Sequence, residues 1–336
     1  MIGSSVVDPG EATVGTGYDG VLTPKGDGWY SGPMTTPATD AWKHDLEQAH
    51  AERRAARERV YYDEEADRRA AEQYYADVPL DQYAALVTST HARKPNYRPA
   101  VELYPWVDLQ PDGTIRSLYT GDAWDPDELI AKDLEVQRSR AESKQRMLLD
   151  TRANPSGVDA MIEAVLPYNC EHVVPQSWFE RAEPMRGDLH HLFACQTRCN
   201  SFRGNTPYEE FAGYPHRGPA GAPALGPDLS PTPPGSLTLR VISDQCGRRE
   251  TSGFEPAHGK GAAARALFYF LLRYPGLADE FPSPRAAPLL TWHEEDPVTE
   301  WERHRNAAIH VRQGNRNPFV DHPTRAAEIL PMLEAA

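Results

Sequence analysis

The sequence predicts an α+β fold, rich in helix and poor in strand, and three observations carry that expectation. Long stretches of helix-forming residues fall at 40–75, 126–150, 260–274 and 297–311. The β-leaning runs are few and short: "LYPWVDLQPDGTIRSLYTG" (103–121), "YNCEHVVPQSWF" (168–179) and "DLHHLFA" (188–194). No internal repeat is visible.

In chain order, residues 1–39 are dense in Gly, Pro, Ser and Thr with little periodicity, which predicts a disordered or loosely held tail. From Asp40, a plausible N-cap, to about Tyr75 the chain is almost all helix formers, with a thin apolar seam of Trp42, Leu46, Ala49, Ala56 and Val60. That pattern predicts one long, solvated helix lying on the domain surface, with a partner-binding or coiled-coil arm as the alternative. A short helix near 80–90 precedes a hairpin around Pro111-Asp112-Gly113. Helices follow at 126–150 and 156–165, then the two clusters that carry the chemistry. A Pro/Gly-rich surface excursion spans 213–236, helices recur near 260–274 and 297–311, and "QGNRNPFVDHP" (313–323) signals a turn. The expected organisation is a helical N-terminal extension (1–76), a domain at 77–323 and a tail at 324–336.

The net charge is −14 over 336 residues. Residues 1–150 hold 17 Lys+Arg against 27 Asp+Glu, and residues 151–336 hold 18 against 22. So acidic a chain argues against a passive nucleic-acid coat, which would use a basic face to release counterions. It leaves room for an enzyme with a local arginine cluster. Lys260 is the only lysine of the second half, a bias that suits bidentate grip on phosphate and that high-GC codon usage would also produce. No apolar run is long enough to span a bilayer. The first residues lack the basic start and apolar core of a secretory signal, so the expected address is the cytoplasm.

Glu171 and His172 are adjacent at the mouth of a predicted strand and so face opposite sides. "DLHHLFA" reads as a second strand on which His190 and His191 alternate, and "CNSFRGN" as a turn or short helix carrying Asn200. Strand, loop, strand and helix would bring Glu171 and Asn200 together as oxygen ligands of a hard cation such as Mg²⁺, leaving His172 to deprotonate a water. Arg203 is a candidate for phosphate contact, with pairing to Asp188 or a helix end as the alternative. Arg316, with Asn317, would either line the nucleic-acid groove or tie the C-terminus to the core. Trp178, Phe179, Phe268, Tyr269 and Phe270 sit among aliphatic residues and read as core.

Glu-His-x-x-Pro-x-Ser-Trp-Phe (171–179), Asp-Leu-His-His-Leu (188–192), Asn-Ser-x-Arg-x-Asn (200–205), Phe-Glu-Pro (254–256) and the segment 291–323 together resemble the bacterial endonuclease I family. These are non-specific nucleases of the ββα-metal, or His-Me finger, superfamily. The resemblance spans roughly 77–323 and implies a domain built around a ββα-metal finger that cuts DNA, often RNA as well, with Mg²⁺ or a substitute such as Mn²⁺ or Ca²⁺. By the same resemblance Glu171 and Asn200 match the metal ligands and His172 the general base. Two departures stand out: Cys170 replaces an arginine common in the family, and residues 1–76 have no counterpart. The rivals are a toxin or effector nuclease with a delivery region or inhibitor-binding partner site in residues 1–76, and a catalytically idle nucleic-acid-binding relative. Residues 1–76 are expected to be dispensable for the chemistry.

Cys170, Cys195, Cys199 and Cys246 permit two disulfides, one Cys₄ metal site or free thiols. A reducing cytoplasm and a position around the Glu-His pair favour a structural Zn²⁺, and related finger nucleases commonly brace this motif with a zinc knuckle.

Overall fold

The first long helix ends sooner than its composition suggests. In the computed structural model, which describes residues 37–150, 162, 170–214, 245–280 and 286–334, α1 spans Pro37–Glu58 and α2 spans Glu64–Tyr74. Between them lies Arg-Val-Tyr-Tyr-Asp, which is poor in strong helix formers. Asp63 restarts the helix as an N-cap, accepting from the Ala66 N–H at 2.9 Å, with Glu64, Glu65 and Asp67 on the positive end of the dipole. The break directs Tyr61 inward: its hydroxyl donates to the Leu109 carbonyl at 2.9 Å and its ring stacks on His304. Both helices serve the chain's own core. α1 buries Ala49 and Ala56, and Tyr75, just past α2, joins the main apolar cluster.

α3 (Tyr83–Thr90) follows a single 3₁₀ turn, as expected, and α4 (Pro99–Glu102) is a further short helix. The Pro111-Asp112-Gly113 turn closes a bridge between Leu109 and Ile115, with Gly113 at φ +78°. A second hairpin then pairs β1 (Ile115–Arg116) with β2 (Ala123–Trp124). α5 (Pro126–Asp150) leads toward β3 (Cys170–His172), which pairs antiparallel with β4 (Leu192–Ala194) in the register Cys170 to Ala194, Glu171 to Phe193 and His172 to Leu192. The expected second strand is shorter than its sequence. Leu189–His191 form a 3₁₀ turn capped by the Asp188 side chain, so His190 and His191 do not alternate on a strand.

α6 (Thr197–Arg203) follows β4, and β5 (Gly247–Arg249) pairs with β6 (Phe254–Pro256). α7 (Lys260–Arg273) is buried along its whole length and forms the spine of the main core. α8 (Ala286–Glu295), α9 (Glu300–Gln313), α10 (Pro318–Asp321) and α11 (Ala326–Glu334) complete the chain. Residues 324–336, expected as a tail, include Ala326, Ile329 and Leu330, all buried in the main core.

A second apolar cluster joins α1, α4 and α5 to Cys170, Leu192 and Ala194, so β3 lies between the two clusters. The fold is therefore helix-rich with small antiparallel sheets. Nearly all of the expected N-terminal tail (1–39), nearly all of the 156–165 helix and nearly all of the 213–236 excursion lie outside the described residues. Among the described residues no helix is long and apolar enough to cross a membrane.

Candidate active site

β3 is buried on both faces, and its alternation puts Cys170 and His172 on one side and Glu171 on the other. The Cys170 thiol packs in the second cluster, where burial pushes its pKa well above the ordinary range and keeps it an inert thiol. Glu171 is only 1% exposed. Its Oε1 accepts from the Tyr119 hydroxyl at 2.8 Å and from the Arg203 guanidinium. Burial raises its pKa, and Arg203 and Tyr119 offset part of that rise.

Arg203 comes from the last turn of α6 and is itself 1% exposed. It also donates to the carbonyls of His172 at 2.9 Å and Val173 at 2.8 Å, while its guanidinium lies over the Tyr208 ring. The expected phosphate contact is thus replaced by an internal clamp that bonds the Glu171 carboxylate to its own strand and to α6. Of the two roles expected for Arg316, the tie to the core is the one observed, and the phosphate contact is not. It is fully buried and ion-paired to Asp67 of α2 and Asp321 of α10, each at 2.7 Å, so it ties the C-terminal turn to the N-terminal helices and faces no substrate.

His172 is 5% exposed, and its Nε2–H donates to the Arg186 carbonyl at 3.1 Å. That bond assigns the proton to Nε2 and the lone pair to Nδ1. Burial, with His191 next, depresses its pKa well below the ordinary histidine value, so the ring is neutral at neutral pH. Tyr97 covers one face with ring centroids 4.9 Å apart, and His191 meets it edge-on at 5.4 Å. The Arg186 guanidinium lies over Tyr97 at 5.0 Å and donates through Nε to Gln176 at 2.9 Å. Tyr97 and Arg186 were not singled out in the sequence. The available signal was Gly187, where an added Cβ would lie 1.9 Å from the Pro95 carbonyl, so only glycine lets the 95–97 segment press on the site.

His190 and His191 are both buried. His191 Nε2–H donates to the Met185 carbonyl at 2.6 Å, and His190 packs on Tyr269. Burial lowers the pKa of His190 to about 3 and that of His191 to about 4. Asp188 accepts from Tyr269 at 2.8 Å, Tyr274 at 3.0 Å and Gln313 at 3.0 Å, locking the turn before β4 onto α7 and α9. The aromatic residues expected in the core are there: Phe179, Phe268, Tyr269 and Phe270 are buried, and Trp178 packs against them.

Asn200 sits on α6, and its Nδ2 donates to the Cys170 carbonyl at 3.0 Å. The amide nitrogen therefore faces β3, and the oxygen, the atom a hard cation takes, lies on the other side of the amide. Cys199 beside it is bonded to Cys246, joining α6 to the residue that precedes β5. This overturns the expected zinc site. Two of the four sulfurs are consumed in a disulfide, and the thiols of Cys170 and Cys195 are buried in different clusters. A cavity of about 720 Å³, lined in part by Tyr62, Trp106 and His304, includes none of Glu171, His172 or Asn200.

The family model for endonuclease I matches residues 99–230 and 241–324. The chain is 33% identical over 183 residues to the extracellular ribonuclease of Bacillus subtilis (strain 168), which covers 49% of this chain and 54% of that protein. It is 32% identical over 181 residues to the extracellular ribonuclease of Bacillus amyloliquefaciens (48% and 53%) and 29% identical over 140 residues to the extracellular deoxyribonuclease of Aeromonas hydrophila (41% and 50%). The chain spans about half the length of these relatives. The expected cytoplasmic address does not stand, since all three are named as extracellular, and a disulfide beside Asn200 suits an oxidising compartment. With more than half of its length matched by the family model, and with Glu171, His172 and Asn200 gathered on β3 and α6, the chain belongs to the endonuclease I family.

Proposed function

We propose that this protein is an extracellular, metal-dependent endonuclease of ββα-metal type that hydrolyses phosphodiester bonds in DNA and RNA with little sequence preference. The observation that carries the mechanism is the His172 Nε2–H bond to the Arg186 carbonyl, which leaves Nδ1 as the basic atom of a neutral ring. In this reading Nδ1 takes a proton from water, the water oxygen forms a bond to phosphorus, and the leaving oxygen departs and is protonated from solvent. Such a base is worth about 10²–10⁴ in rate. Tyr97 and His191 hold the imidazole plane, and the part-exposed Arg186 stands beside it with a cation for the phosphate.

The oxygen donors of Glu171 and Asn200 fit a hard divalent cation such as Mg²⁺. Among the described residues no group of three or more His, Cys, Asp or Glu is placed to hold a metal, so two protein oxygens would be completed by water and phosphate. When bound, the cation would supply charge neutralisation at the phosphate. Relatives named for ribonuclease and for deoxyribonuclease activity support both substrates.

The test is cleavage of plasmid and of structured RNA with Mg²⁺ and with EDTA, comparing wild type with His172→Ala. Expected are cutting of both substrates, loss with EDTA, and a loss of about 10²–10⁴ in kcat for His172→Ala with nucleic-acid affinity retained. A His172→Ala rate within about tenfold of wild type would remove the assigned base. The acid limb of kcat/KM should lie below the ordinary histidine value of about 6.5, because the folded ring resists protonation.

A further inference from the structure

Glu171 has two carboxylate oxygens, and the fold treats them differently. Oε1 accepts from the Tyr119 hydroxyl at 2.8 Å and from the Arg203 guanidinium. Two donors fill the two lone pairs of that oxygen. Oε2 accepts no hydrogen bond among the described residues. Nor is it one of the unpartnered polar atoms sealed from solvent, so part of the residue's 1% exposure belongs to it.

Tyr119 is itself held in place. Its single proton goes to Glu171, so in the 2.7 Å contact between the two phenols Tyr208 is the donor and Tyr119 the acceptor. The result is a directed chain from Tyr208 to Tyr119 to Glu171. Hydroxyls bonded in series polarise one another, which strengthens the last bond onto the carboxylate. The backbone before Tyr119 is pinned to the end of β4, where the Leu118 N–H donates to the Ala194 carbonyl at 2.9 Å. Tyr119 is fully buried with its ring edge-on to Phe254 at 5.2 Å, and the Arg203 guanidinium lies 4.3 Å from the centre of the Tyr208 ring. Three segments, the β1–β2 hairpin, β3 and the chain after α6, thus converge on one oxygen of one carboxylate.

We propose that Tyr119, with Tyr208 behind it, is a positioning residue of the nuclease: it occupies Glu171 Oε1 so that a divalent cation is taken by Oε2 alone. The inference deepens the nuclease reading above and rests on its assignment of Glu171 as a metal ligand. One carboxylate oxygen and one amide oxygen leave most positions around an octahedral cation to water and phosphate. The hydrogen-bond partners of a ligating carboxylate are commonly worth about 10- to 100-fold in metal affinity.

The test measures Mn²⁺ binding to the full chain without nucleic acid, by electron paramagnetic resonance of the free ion, for the parent, Glu171→Gln, Tyr119→Phe and Tyr208→Phe. Denaturant unfolding of each chain runs alongside. Glu171→Gln should abolish binding at concentrations that saturate the parent. Tyr119→Phe keeps the ring and leaves Arg203 on Oε1, and it should weaken Mn²⁺ affinity by about 10- to 100-fold. Tyr208→Phe should weaken it less, in the same direction. A phenol that only packs would alter stability and leave Mn²⁺ affinity at the parent value, so unchanged or tighter binding by Tyr119→Phe overturns the inference. If Tyr119→Phe does not fold, Tyr208→Phe decides alone, and parent affinity in that variant is the overturning result. Mn²⁺ binding that survives Glu171→Gln, or a parent chain that binds none, sinks the assignment of Glu171 as a metal ligand and the inference with it.

Discussion

Glu171 is a carboxylate taken almost entirely out of water, a state that costs several kcal/mol unless charge and hydrogen bonds compensate. Arg203 and Tyr119 supply that compensation on Oε1. The arginine's other donors reach the His172 and Val173 carbonyls, so one guanidinium fixes both the carboxylate and the backbone that carries the proposed base. Arg203→Met should therefore act on folding before it acts on substrate. We expect a loss of about 3–5 kcal/mol in stability, the range for a buried pair stripped of one partner. Denaturant unfolding of the variant, alongside KM for the residual activity, separates the two roles. A variant of unchanged stability with a raised KM would restore the phosphate-contact reading.

Among the elements, α6 matters most because it carries Asn200, Arg203 and Cys199 within seven residues. So short a helix is not stable by propensity, and it is held from outside: by Arg203 to β3, by Asn200 to the Cys170 carbonyl, and by the disulfide to Cys246. The cysteines are 47 positions apart, and chain-entropy arithmetic for a loop of that size gives about 4 kcal/mol. Replacing both, as Cys199→Ser with Cys246→Ser, should lower stability by about 2–4 kcal/mol and raise the Mg²⁺ needed for half-maximal cleavage. Thermal melts and a Mg²⁺ titration check the two effects. A stability loss with no change in Mg²⁺ requirement would mean that the bridge supports the fold without steadying Asn200.

At the scale of the molecule, buried contacts cross position 76 in several places. Asp67 pairs with Arg316, Tyr75 donates to Asp321 at 2.9 Å, and Tyr61 is bonded to Leu109 and stacked on His304. A chain starting at Asp77 would leave Arg316 without one partner and uncover the apolar surface under α1. It should be less soluble and melt well below the full chain; equal melting temperatures would show α1 and α2 to be accessory.

Acid sensitivity is a second whole-molecule property. His172, His190 and His191 titrate below their unfolded value of about 6.5, and His91, His293, His304, His310 and His322 shift the same way. Above pH 6.5 these rings are neutral folded or unfolded and make no difference. As pH falls below it the unfolded chain takes up protons that the folded chain refuses. Stability should therefore drop between about pH 6.5 and 4, by roughly 1.4 kcal/mol per pH unit for each of His190 and His191, with His172 acting in the same direction. Denaturant melts from pH 7.5 to 4.5 measure the slope, and a flat profile would show these rings to be protonated in the native state.

The sequence by itself determined what local pattern can encode. Helix periodicity located α3, α5, α7 and α9, and the Glu-His pair, the Asp-Leu-His-His-Leu run and Asn200 marked the strands and helix that meet, because these groups lie within about thirty residues of one another. The tertiary structure decided how each long side chain is spent. An arginine reaches far enough that spacing cannot separate a phosphate contact from an ion pair, and only burial against Glu171, or against Asp67 and Asp321, chose the internal partner for Arg203 and Arg316. The same holds for Cys199, whose partner is a distant cysteine across a Pro/Gly-rich stretch, and for Tyr97 and Gly187, which meet the site from segments that no local period connects. The weak helix formers at 59–63 permit a break but do not require one; the fit of Tyr61 against His304 and Leu109 accompanies it, and such a contact exists only once the chain has folded back on itself.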